Sequence, residues 1–305
     1  MLPSFLSPTY LYGNYLRRRF TSAGLTSQVA NVDDDGNTTI RFWGPDPTKP
    51  ATGKPSLVLI HGFGPVSTWQ WQNQVQHFAP KFDLYVPDLV FFGESTTRLA
   101  DRSEQFQADS VAGLMERIGV KRYSLLGTSY GGIVAYNIAK RWPERVDRVV
   151  IASSGVNMRR RDGSGLLERA KVEKTEELML PATAKQMRTL LSLAVYKRPK
   201  MLPDLFLNDL LQKLYSDKRM EKMELLKGLT IGKDDEAKIS PLEMEVLLVW
   251  GDHDQIFPIE MAVELKQLLG KKVQLEVIKK TSHVPQSENP AVFNRIVNNF
   301  LCQST

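Results

Sequence analysis

Apolar residues along this chain fall into short, nearly unbroken runs, separated by longer stretches with a helical period. The runs near Thr26–Asn31, Thr38–Trp43, Ser56–His61, Leu84–Asp88, Ser124–Thr128, Arg148–Ala152, Glu245–Trp250 and Val273–Ile278 predict eight strands. Several alternate little, as parallel strands covered on both faces do. Between them, Glu104–Ile118 sets Phe106, Val111, Leu114 and Ile118 on one side and stops at Gly119. Ile259–Leu269 stops at Gly270, a common helix terminator. Asn289–Leu301 places Phe293, Ile296, Val297 and Phe300 on one face, and a further helix is predicted from Trp69 to Phe78. Such alternation predicts an α/β protein with a doubly wound, mostly parallel eight-stranded sheet.

The alternation fails between about Asn157 and Ser240. Helical runs at Leu166–Leu180, Ala184–Tyr196, Pro203–Tyr215 and Lys218–Leu229 occupy this stretch without a strand signal. The expected organisation is therefore an N-terminal segment (1–25), a core (26–156 and 241–305) and an inserted helical cap (157–240). Met158, Met179, Met187, Met201, Met220 and Met223 all fall in the cap. Methionine adapts to irregular apolar shapes. These side chains either line a site for a flexible aliphatic substrate or fill the cap's own core.

Gly127-Thr128-Ser129-Tyr130-Gly131 sits between an apolar strand and the helix-forming run Gly132–Arg141. A serine at a sharp strand-to-helix turn is strained, with its hydroxyl clear of the sheet, and the flanking glycines permit close packing. The helix N-terminus sets free N–H groups beside that hydroxyl. A serine needs a base to attack a carbonyl, and the chain has four histidines. His61 directly follows a strand and suits a loop beside the nucleophile. His77 falls in a helix. His253 lies in a tight Gly251-Asp252-His253-Asp254 turn. His283 follows the last strand in a polar loop and is the best base by position. The carboxylate that holds its tautomer comes from the turn after Trp250, with Asp254 favoured, Asp252 shaping the turn, and the reverse assignment open.

Four segments carry a resemblance. His61-Gly62-Phe63-Gly64, Pro87–Ser95, Trp250–Pro258 and Ser282–Pro290 occur in the order found in α/β-hydrolase-fold serine hydrolases, and the resemblance runs from about Thr38 to Leu301. The pattern most resembles the plant branch similar to monoacylglycerol lipases, with meta-cleavage-product hydrolases as more distant relatives. The resemblance implies an acid four residues after Trp250, which is Asp254. It also implies an oxyanion hole from the backbone N–H groups of Phe63 and Tyr130. His61, Gly62 and Trp69 are the expected substrate-binding positions. Two positions depart: the family usually has glycine where Phe91 stands, narrowing the space beside the entrance, and a bulkier residue than Val284.

The expected activity is cleavage of a carboxylic ester of a hydrophobic small molecule or lipid, through an acyl-enzyme on Ser129. A C–C bond hydrolase or lyase using the same triad, and a small-molecule receptor with a slow hydrolase site, are the alternatives. No metal or organic cofactor is required. Net charge is +6, without a basic stripe interleaved with aromatics, which argues against a nucleic-acid partner. Cys302 is the only cysteine, so no disulfide forms within the chain and a reducing, cytoplasmic setting is expected. Met1–Leu16 is rich in Leu, Phe and Tyr, is interrupted by Pro3, Pro8 and Gly13, and precedes Arg17-Arg18-Arg19. Positive charge after the apolar run is the reverse of a secretory signal. Two readings remain: a segment packed on the protein's own surface, or peripheral contact with a membrane.

Overall fold

The computed structural model describes residues 7–197 and 202–303. In chain order the strands are β1 (Leu25–Asn31), β2 (Thr38–Pro45), β3 (Ser56–Ile60), β4 (Asp83–Pro87), β5 (Thr96–Thr97), β6 (Tyr123–Thr128), β7 (Val146–Ala152), β8 (Glu245–Gly251) and β9 (Val273–Ile278). They form one nine-stranded sheet, ordered β1-β2-β4-β3-β6-β7-β8-β9, with β5 pairing on β2. The pairs β1–β2, β2–β4 and β2–β5 are antiparallel, and the others are parallel. The eight expected strands are all present, and β5 is a ninth. Its two residues are too few to carry a period.

The helices begin with α1 (Pro8–Ser22), α2 (Ser67–Gln70), α3 (Gln72–Phe78), α4 (Glu104–Arg117) and α5 (Tyr130–Arg141). Next come α6 (Arg160–Ala170), α7 (Thr175–Met179), α8 (Ala184–Ala194), α9 (Asp204–Leu210) and α10 (Arg219–Gly228), all between β7 and β8. The last are α11 (Ile259–Leu269), α12 (Pro285–Glu288) and α13 (Pro290–Leu301). Helices cover both faces of the sheet. One cluster packs α4 and α5 through Val111, Leu114, Ile133 and Val134 against Val58, Leu125 and Val149. The other packs Phe20, Trp71, Phe78, Phe293 and Phe300 against Leu57, Leu59, Leu126 and Val150. Alternate residues of a strand point to opposite faces, so β3 and β6 feed both clusters.

Three expectations need correction. The helix expected over Trp69–Phe78 is two helices broken at Trp71, whose φ of −108° lies outside the helical range and whose ring is fully buried. The run Leu166–Leu180 is likewise split, at Lys171, which adopts a left-handed conformation. Pro8 starts a continuous helix instead of interrupting one. It occupies the first turn, where a missing N–H costs nothing, and Ser7 caps Tyr10 N–H. Leu16 and Phe20 bury one face of α1, while Tyr10, Leu11, Tyr12 and Tyr15 stay exposed. Met1–Leu6 of the apolar N-terminal stretch lie outside the described residues. No described helix is long and apolar enough to cross a membrane.

Within the helical insertion, Met187 is buried in a cluster with Leu180, Leu207, Leu211 and Tyr215, and Met223 packs on it. Met179 packs on a second cluster with Leu166 and Leu193. Met220 faces solvent, and Met201 lies outside the described residues. Met179, Met187 and Met223 thus serve the insertion's own core, whereas Met158 lines a separate cavity beside Ile133 and Tyr136.

Candidate active site

Ser129 stands between β6 and α5 with φ of 54° and ψ of −121°. A non-glycine residue rarely adopts this backbone, and its surroundings fix it there. Ser129 N–H extends the β6–β7 ladder to Ala152 O at 2.9 Å. Gly127 and Gly131 are obligatory, because a Cβ at either would overlap backbone, at Gly131 O and at Ile60 O respectively.

His283 arrives from the loop between β9 and α12. Its Nε2 lies 3.0 Å from Ser129 Oγ, across 154 residues of sequence, and its Nδ1 lies 3.0 Å from Asp254 Oδ2. The other oxygen of Asp254 accepts from Ile256 N and Phe257 N at 2.9 and 3.0 Å, which fixes the carboxylate. All three residues are nearly buried. Asp252 has a different partner: its Oδ1 lies 2.7 Å from His253 Nδ1, and His253 is exposed and packs against Tyr196. Geometry therefore puts Asp254, not Asp252, on the imidazole. This order of contacts can move a proton from Ser129 Oγ to Nε2 while the carboxylate stabilises the imidazolium.

The N–H groups of Phe63 and Tyr130 find no acceptor among the described residues. Phe63 packs edge-on against Tyr130, with ring centroids 5.9 Å apart, and against Phe92. The loop carrying Phe63 is shaped by Gln70, which accepts from Gly62 N at 2.8 Å and donates to Gly62 O and Pro65 O.

The other expected site residues do different work. His61 is fully buried, with Nδ1 2.8 Å from Gly62 O and Nε2 accepting from Leu89 N at 2.9 Å. Burial holds its imidazole below the ordinary histidine pKa. It therefore offers a substrate no free polar atom and instead ties the loop after β3 to the one after β4. Gly62 has both backbone groups on Gln70, and a Cβ there would stand 2.9 Å from Ser129 Cβ. Close approach, not substrate contact, requires that glycine. Trp69 lines a separate cavity under α1 and meets Tyr12 edge-on at 5.1 Å. Phe91 is buried in the main core with φ of 71°, and Arg102 lies 4.6 Å over its ring. The positive φ explains why glycine is usual there, and the phenyl ring does not stand at an entrance.

Several residues escaped the sequence reading. The insertion is joined to the histidine loop: His283 N donates to Ala194 O at 3.1 Å, and Ser282 Oγ donates to Leu193 O at 2.7 Å. Glu288 accepts from Ser282 N and Tyr196 N, both at 2.7 Å. Ser154 Oγ donates to Ser129 O at 2.6 Å. Each of these side chains binds a backbone group, so no periodicity or motif marks it. Among the described residues no cluster of three or more potential metal ligands occurs.

A parallel α/β sheet with a serine at its central strand-to-helix turn, a histidine and an aspartate on later loops, and free N–H groups alongside defines the α/β hydrolases. Residues 55–290 match the alpha/beta hydrolase fold family, and the chain belongs to it. It is 28% identical, over 90% of its length and 96% of the relative's, to a 2-hydroxy-6-oxononadienedioate/2-hydroxy-6-oxononatrienedioate hydrolase of Burkholderia vietnamiensis. In structure it is similar to a bacterial membrane phospholipase A, with a TM-score of 0.80, 24% identity, and 96% of this chain and 91% of that one covered. It is also similar to the 2-hydroxy-6-oxo-6-phenylhexa-2,4-dienoate hydrolase of Rhodococcus sp. strain RHA1, with a TM-score of 0.73, 21% identity, and 92% and 99% covered.

Proposed function

We propose that this hydrolase cleaves a carboxylic ester of a hydrophobic small molecule or lipid through an acyl-enzyme on Ser129. The observation that carries the reading is the continuous contact from Ser129 Oγ through His283 to Asp254. His283 takes the proton as Ser129 attacks the carbonyl carbon. The N–H groups of Phe63 and Tyr130 meet the oxyanion, each worth on the order of 10²–10³ in turnover. His283 then protonates the departing alcohol, and a water deprotonated by the same imidazole releases the acid.

The hydrophobic preference rests on the roof. Phe63 packs against an apolar cluster of the insertion that includes Leu190, Leu211 and Met223. We take residues 157–240 as a cap over Ser129, residues 26–156 and 241–305 as the core, and residues 1–25 as a separate segment. Within the family we favour the plant branch resembling monoacylglycerol lipases, on the four motifs.

A second reading is hydrolysis of a C–C bond by the same three residues. It draws support from the Burkholderia and Rhodococcus relatives, named as hydrolases of 2-hydroxy-6-oxo acids. Steady-state turnover on p-nitrophenyl esters of increasing chain length, beside a 2-hydroxy-6-oxo-dienoate, separates the two. The ester reading requires many turnovers and a higher kcat/KM on a medium-chain ester. Higher kcat/KM on the dienoate assigns the C–C reaction, and one or few turnovers on either assigns a receptor.

The exposed face of α1 supports peripheral contact with an anionic membrane as a further part of the proposal. Tyr10, Leu11, Tyr12 and Tyr15 stand exposed next to Arg17 and Arg18, a pairing of aromatic and basic side chains suited to headgroups. Flotation with anionic vesicles tests it, and an unchanged distribution after Tyr12→Ser with Tyr15→Ser would contradict it.

A further inference from the structure

A cavity of about 470 Å³ lies where α1, the core and the helical insertion meet. It stands apart from Ser129 and has no part in the chemistry above. Four basic side chains line it, Arg17, Arg41, Lys213 and Lys222, against two acidic ones, Glu94 and Asp217. They come from four distant segments of the chain, so only the folded protein assembles them.

The two inner cations are the telling ones. Lys222 is 2% exposed, yet no carboxylate lies within 4.0 Å of its ammonium among the described residues. Its Nζ donates to Asp217 O at 2.8 Å and stands 5.2 Å over the Phe92 ring. Burial pushes its pKa below the ordinary lysine value, with Asp217 acting in the opposite sense. An ammonium taken out of water without a counter-ion is costly. Arg41 is 6% exposed. It uses Nη1 on Asp88 at 3.3 Å and Nε on Ser27 at 3.1 Å, with Glu94 Oε1 3.6 Å from Nε, and its Nη2 has no acceptor among the described residues. At the mouth, Arg17 and Lys213 are exposed, and neither has a carboxylate within 4.0 Å among the described residues. Tyr10, Val66, Trp69 and Leu214 add an apolar wall.

We propose that this cavity binds a phosphate ester, with its oxyanion between Arg41 and Lys222 and its organic part against Trp69 and Leu214. A phosphate monoester carries about −1.5 to −2 charges at pH 7, which complements Arg17, Lys213 and Lys222, the three lining cations with no carboxylate within 4.0 Å among the described residues. The forked guanidinium and the point-like ammonium are both habitual phosphate donors. The ester is either a soluble phosphate or the headgroup of a phospholipid reached beneath α1.

The test uses the full chain with two probes, glycerol 3-phosphate by calorimetry and vesicles of phosphatidylcholine with and without phosphatidic acid by co-sedimentation. Saturable binding of glycerol 3-phosphate identifies a soluble ligand class, and binding to the phosphatidic acid vesicles alone identifies a lipid headgroup. The double variant Arg17→Ala with Lys213→Ala changes only exposed positions and should weaken the bound probe by about tenfold or more. Lys222→Met should abolish binding, and the rim variant keeps the test valid if that protein fails to fold. Lys266→Ala removes a charge of the same sign from an exposed position on α11, outside both the cavity lining and α1, and should leave affinity within about twofold. Absence of binding to both probes, or equal weakening by Lys266→Ala, overturns the proposal.

Discussion

Ser154, on the loop after β7, donates its Oγ–H to the carbonyl of Ser129 at 2.6 Å. The bond holds the left-handed turn at Ser129 from the next loop over, and Gly132 leaves room for it, since a Cβ there would come 2.6 Å from Ser154 Oγ. Ser154→Ala should lower stability by about 1 kcal/mol and kcat by about tenfold, with KM little changed. Urea melts and steady-state kinetics measured together check this.

Asp254 holds the Nδ1 side of His283 and is itself held by two backbone donors. Asp254→Asn preserves the shape but presents an N–H to the ring and selects the wrong tautomer. Turnover should fall by roughly 10⁴ with the fold intact. Asp252→Asn, which removes charge from the exposed His253 and Lys279 contacts and not from the His283 imidazole, should cost less than about tenfold. Comparable losses in the two variants would reverse the assignment of the acid.

Burial of neutral His61 makes a sign-specific prediction for stability. Its folded pKa lies below the ordinary value of 6.5, so as pH falls past that value the unfolded state takes up a proton that the folded state resists. The stability is therefore present above pH 6.5 and is lost progressively as pH falls toward the folded value. Glu264, held low chiefly by its hydrogen bond from Arg159, acts with the same sign but only below the ordinary glutamate value of 4.5. Thermal melts should show Tm decreasing already between about pH 7 and pH 5.5, and His61→Gln should flatten that part of the curve.

Phe91 sets two effects against each other. Relief of its positive φ by glycine is worth about 1–2 kcal/mol. Loss of its buried ring costs about 3–5 kcal/mol. Burial wins, and Phe91→Gly should destabilise the protein by about 2 kcal/mol in chemical denaturation. A gain in stability would mean that the ring packs poorly.

How much of this was legible in the sequence depended on the length over which each signal acts. The parallel strands were readable as apolar runs such as Leu57–Ile60 and Leu247–Trp250, because burial on both faces leaves no polar positions. The break at Trp71 was not, since the helical period continues through it while the backbone does not. Pro8 read as an interruption because position within a helix decides whether proline is tolerated. The trio of Ser129, Asp254 and His283 could be assembled from chain order and strand ends. Gln70, Ser154 and Glu288 could not, for each acts on a backbone group brought near only by folding. The cavity under α1 lies furthest from the sequence, with Arg17, Arg41, Lys213 and Lys222 contributed by elements that share no local pattern.

The central claim is that Ser129 is a nucleophile activated by His283. Labelling with a fluorophosphonate probe, followed by peptide mass spectrometry, tests it most directly. The account predicts one adduct per chain, on Ser129, formed at a rate that falls by about 10⁴ or more in His283→Ala. An adduct on another residue, or a labelling rate at Ser129 unaffected by loss of the imidazole, would contradict it.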